Sequence, residues 1–101
     1  MIPDDYKRKT TFWSDFTIAE PYGVSALMDT YKRGLLYAKT DYEAFTELVM
    51  ILNWKIWDHF EAGNMPLAKA YNNLWLKSQA DYNNTFKSNK EAMHYYYETT
   101  D

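Results

Sequence analysis

The sequence predicts an all-α fold: a small helical bundle built on a long antiparallel helical hairpin, with an extended N-terminal arm. Three observations point there. Gly and Pro number only three each in 101 residues. β-branched residues are not gathered into alternating runs. Apolar residues recur at three- and four-residue steps through most of the chain, as one face of a helix requires. The length suits a single domain over residues 1–101, large enough to bury one real core.

Residues 1–20 show no clear helical period, yet Phe12, Trp13, Phe16 and Ile18 are too apolar for a free tail. They read as an extended arm pinned across the bundle by those four side chains. Pro21 and Gly23 mark a turn. The first helix spans about 24–39, with Val24, Leu27, Met28, Tyr31, Leu35 and Ala38 as its stripe and Gly34 beside it. A glycine there lets a neighbouring backbone come close, at a cost of about 1 kcal/mol in helix propensity. The second helix spans about 41–62. Thr40 and Glu43 have capping-box spacing at its start, and Gly63-Asn64 ends it. The third spans about 65–86, with Asn64 as cap, Pro66 in the first turn, and Leu67, Tyr71, Leu74, Ser78 and Tyr82 on its stripe. Ser88 and Glu91 repeat the capping spacing and open a short fourth helix over 89–98. The short link between helices two and three predicts antiparallel packing.

The second helix poses the sharpest question. On a wheel of about 100° per residue, Tyr42, Phe45, Leu48, Val49, Leu52, Ile56 and Phe60 share one broad face, read as the core face. Met50, Trp54 and Trp57 fall nearly opposite, bordered by Glu43, Glu47 and Glu61, and Ile51 stands alone between. A helix apolar on two sides is usually sandwiched. Three covers are open: the chain's own residues 10–18, with Phe12 and Trp13 as neighbours; a second copy; or a different protein. A pocket of indoles for a planar or cationic ligand is a further reading.

Composition narrows the function. The aromatic share is 19%, with ten tyrosines, five phenylalanines and four tryptophans. Tyr and Trp tolerate a half-wet setting and gather at interfaces. Net charge is −3, and the halves are balanced, with 6 basic and 8 acidic residues before position 51 and 5 and 6 after it. Only Lys7-Arg8-Lys9 is a concentrated basic run, which argues against duplex binding. The absence of cysteine excludes disulfides, thiol catalysis and cysteine-ligated zinc. It is compatible with a reducing cytoplasm, the expected location. The start, MIPDDYKRKT, holds no apolar signal-peptide core, and no apolar run approaches the ~20 residues of a membrane span.

No catalytic motif stands out. His59 sits at the edge of the core face and reads as a hydrogen-bonded structural residue; His94 lies in the tyrosine-rich tail. Three scattered glycines make no phosphate loop. Asp81, at the margin of the third stripe, reads as a cap or ion-pair residue. Tyr95, Tyr96 and Tyr97 point in three directions on a short helix, so at least one faces outward unless covered.

TELVMILNWKIWDHFE at 46–61, FTIAEPYG before the first helix, DTYKR within it and the ending YYYETTD resemble short, uncharacterised helical proteins of gut-dwelling bacteria and their phages. The resemblance spans most of the chain and carries no catalytic motif. It implies a small accessory protein, phage-borne, that works by binding a host protein.

The expectation is therefore a non-enzymatic interaction module without cofactor or metal, forming a homodimer or binding a host protein through Met50, Trp54, Trp57, Trp13, Tyr95, Tyr96 and Tyr97. The alternatives are a small-ligand or nucleotide binder with an aromatic pocket, and a single-stranded nucleic-acid binder.

Overall fold

The computed structural model describes residues 10–86, and among them every regular element is helical. Helix α1 spans Phe12–Ala19 and runs into a 3-10 turn at Glu20–Tyr22; α2 spans Val24–Ala38, α3 Tyr42–Glu61 and α4 Met65–Phe86. The segments 1–9 and 87–101 lie outside the described residues. With them lie the expected helix over 89–98, Tyr95, Tyr96, Tyr97 and His94.

The extended arm is corrected over its described part. Phe12, Phe16 and Ala19 are buried at i, i+4 and i+7, one face of a helix. Thr11 donates to the Asp15 carboxylate at 2.9 Å, and the Asp15 N–H donates to the Thr11 carbonyl at 2.9 Å, closing the first turn. Eight residues give two turns, too short for the period to stand out in the sequence. Phe16 is fully buried and Phe12 nearly so, whereas Ile18 keeps 68% of its surface. The pinning therefore comes from the one face that α1 turns inward.

Gly23 has φ +95°, a left-handed value, and its N–H bonds back to the Glu20 carbonyl, so the chain reverses there into α2. Leu27, Thr30, Tyr31, Leu35 and Ala38 are the buried face of α2; Val24, read from the sequence as part of that stripe, is exposed. Gly34 admits a ring and not a backbone: a Cβ there would come within 3.0 Å of a Phe12 ring carbon.

The cap of α3 is Asp41, whose Oδ1 accepts from the N–H groups of Glu43 and Ala44. Thr40, the cap expected from its spacing to Glu43, instead donates its hydroxyl to the Tyr37 carbonyl at 2.9 Å. It serves the end of α2. Asp41→Ala is accordingly expected to lower stability by about 1 kcal/mol, and Thr40→Ala by less, in urea melts of the two variants.

The α3–α4 link is three residues, with Gly63 at φ +79° and Asn64 capping α4 through the Leu67 N–H at 3.3 Å. Among the described helices, these two share the most extensive contact. Tyr42 and Phe45, early in α3, meet the Tyr82 ring late in α4 at 6.1 and 5.5 Å between centroids. His59, late in α3, lies flat on Tyr71, nearer the start of α4, at 5.6 Å.

The core face of α3 is corrected as well. Its buried residues are Ala44, Phe45, Glu47, Leu48, Ile51, Leu52 and Lys55. Tyr42 and Phe60, expected inside, are 40% and 52% exposed, and Val49 and Ile56 are half-buried. Against the face read from the helix alone, the buried face is turned by about a quarter of a circle. The cause is that α3 packs on two sides, against α4 and against the α1–α2 layer.

Candidate functional site: a closed polar cluster and an exposed aromatic edge

One carboxylate organises the polar cluster. Glu20, at the head of the 3-10 turn, brings Oε2 to 3.0 Å from Lys55 Nζ and 2.6 Å from the Tyr71 hydroxyl, and both donate to it. His59 Nε2 lies 3.1 Å from the same oxygen but off the line a hydrogen bond needs, so it stays a buried nitrogen without a hydrogen-bond partner. Lys55 also donates to the Thr17 hydroxyl at 2.6 Å, and its ammonium sits 4.0 Å from the centre of the Trp13 ring. The Tyr71 hydroxyl is further within 3.4 Å of the Phe16 carbonyl. Residues from α1, the turn, α3 and α4 thus close around a single negative charge.

Burial alone would raise the Glu20 pKa. Hydrogen bonds from Tyr71 and Lys55, the nearby His59 ring nitrogen and the Lys55 charge outweigh it and hold the carboxyl below its ordinary value. Burial pushes the Tyr71 phenol well above the usual tyrosine range, and the Glu20 carboxylate it donates to pushes it further. A second buried phenol, Tyr31, behaves alike: burial, then the Asp81 carboxylate that accepts from it at 2.7 Å, raise its pKa. Lys77 pairs with Asp81 at 3.2 Å, so Asp81 works as an ion-pair and hydrogen-bond residue.

The cluster is largely closed to solvent. Lys55 keeps 4% of its side-chain surface, Glu20 15% and His59 18%. Lys55 and Tyr71 both spend a donor on Glu20. Among the described residues, no group of three or more His, Asp or Glu side chains is placed to hold a metal ion, and no helix is long and apolar enough to cross a membrane.

The residues read as a contact surface separate in space. Trp13 is half-buried over Lys55. Trp54 is half-buried and packs against the core. Met50 is half-buried, and Trp57 keeps 55% of its surface. The stripe Met50–Trp54–Trp57 is therefore not one open patch: the quarter-turn of α3 carries Trp54 toward the core and leaves Trp57 outside. Trp57 instead joins Phe60, edge to face with ring centroids 5.9 Å apart. Met65, 42% exposed, follows just past the turn. Tyr95, Tyr96 and Tyr97 lie outside the described residues.

Sequence reading missed Glu20 and Lys55 as a pair, because 35 residues separate them. The available signal was weak: Lys55 and His59 stand four apart on α3, so both can reach one partner. His59, expected as a hydrogen-bonded structural residue at the core edge, stacks there on Tyr71, and its Nε2 is buried without a hydrogen-bond partner.

This architecture defines an all-α protein with a closed polar centre and an exposed aromatic edge. Comparison with family models, curated proteins and solved structures finds no match for the chain.

Proposed function

We propose that this chain is a non-enzymatic protein–protein interaction module, a self-associating accessory protein of the phage-borne kind that binds and modulates a host protein. In this reading α3 and α4 act as a long antiparallel hairpin, and its turn end carries the contact. The observation behind it is the Trp57–Phe60 pair. Two large rings, 55% and 52% exposed, stand together on the last turns of α3. Aromatic side chains in that state are the usual anchors of protein contacts, and contiguous apolar surface on a soluble protein generally has a use. The closed cluster at Glu20 supports the non-enzymatic half of the reading, since Glu20, Lys55 and Tyr71 bond one another and are largely shut off from solvent.

The test is a double substitution. Trp57→Ser with Phe60→Ser is expected to keep the helical circular dichroism and the melting temperature. In sedimentation velocity it should shift the chain from dimer to monomer. A wild-type chain that is monomeric up to high micromolar concentration, or a double variant that still dimerises, would remove self-association through this edge.

A further inference from the structure

We propose that Glu20 is an acid-releasable clasp: charged, it fastens the turn after α1 to α3 and α4; protonated, it lets that seam open around Lys55 while α2, α3 and α4 stay packed. The inference is independent of the proposed contact edge.

Charge and geometry carry it. The groups facing Glu20 are Lys55 and His59 from α3 and the Tyr71 phenol from α4. From α1 come the Thr17 hydroxyl and the Trp13 ring, both on Lys55, and the Phe16 carbonyl beside the Tyr71 hydroxyl, and no described charged side chain of α2 pairs with Glu20. One acid thus faces two basic side chains. Protonating it removes the only negative charge in the cluster. The Lys55 ammonium, 4% exposed, is left without a counter-charge, beside a hydroxyl, an uncharged carboxyl and the Trp13 and Tyr71 rings. A buried cation in that position is unfavourable and is relieved by water reaching it.

The weakest wall is the 3-10 turn. It is three residues long and contributes no buried side chain. Tyr22 within it is 78% exposed, and Pro21 has no N–H with which to hold it. The turn ends at Gly23, whose φ of +95° marks a chain reversal with no side chain to resist reorientation. Helix α1 is held differently, by Phe12 and Phe16 in the core. Water therefore enters at the turn, and α1 stays docked. The depressed pKa of Glu20 is consistent with this: the folded cluster favours the charged form.

Two-dimensional NMR with pH as the variable tests the clasp. In the wild-type chain the Trp13 indole signal and the amide signals of 17–23 should move together in one transition below pH 4.5, the ordinary glutamate value. Signals from the cores of α2 and α4, such as Tyr31 and Leu74, should remain dispersed through that transition. Glu20→Gln should show the acid pattern already at neutral pH. Glu20→Leu combined with Lys55→Met removes both charges and should show the closed pattern at every pH. The clasp is overturned if the wild-type signals of 17–23 stay fixed until the chain unfolds in acid, if the whole chain unfolds in the same step, or if the double variant keeps the transition.

Discussion

Ile51→Ala is expected to cost about 3 kcal/mol of folding stability, while Phe60→Ala, on the same helix, changes it by no more than about 0.5 kcal/mol. Ile51 has no exposed surface and belongs to the core cluster; Phe60 is half outside. A truncated core side chain loses its transfer free energy and leaves a cavity that its neighbours fill only in part. An exposed ring gives up little beyond its contact with Trp57. Urea unfolding at unchanged m-value measures both. Equal effects, or a larger one at Phe60, would place α3 in the orientation its own apolar pattern suggests and contradict the packing described above.

Glu20→Ala should also cost about 3 kcal/mol at neutral pH, the low end expected for breaking a buried ion pair because Glu20 keeps 15% of its side-chain surface. The loss comes mainly from Lys55, left charged and buried without its counter-ion. Replacing both partners by apolar residues of similar volume, Glu20→Leu with Lys55→Met, is expected to restore most of it. The sign of the pH effect follows from the direction of the shift. The folded pKa of Glu20 lies below its ordinary value of 4.5. The stability it contributes is therefore complete above pH 4.5 and is lost as pH falls through the folded value. Glu20→Ala should flatten that acid limb in melts taken from neutral pH downward. A variant as stable as the wild type at neutral pH would show the pair to be without net effect.

The single error that displaced the second helix's face has a clear origin. Glu47, Ile51 and Lys55 stand at i, i+4 and i+8 and form one buried stripe. On a wheel, two charged residues flanking one isoleucine read as a solvent face. Glu47 is 3% exposed, and its Oε1 accepts from the Thr10 N–H and hydroxyl. Lys55 is held by Thr17, Glu20 and Trp13. Charges are tolerated inside when partners replace their water. Here those partners come from residues 10–20, which look irregular in the sequence. The same segment hid its own helix, since Phe12, Phe16 and Ala19 give only two turns of pattern.

The sequence by itself determined that the described residues are mainly helical and, to within a residue or so, where α2, α3 and α4 lie. Those features rest on local physics: apolar residues at helical spacing, glycines where φ is positive, and the asparagine cap and Pro66 at the start of α4. The tertiary structure decided which side of α3 is inside, that residues 12–19 are a helix, and that Glu20, Lys55, His59 and Tyr71 meet. It also divided the tryptophans, laying Trp13 on Lys55, drawing Trp54 toward the core and leaving Trp57 beside Phe60. The reason is common to all of these. A helix with apolar groups on two sides has no preferred orientation of its own, and the charges along it oppose burial until partners from distant positions arrive to replace their water.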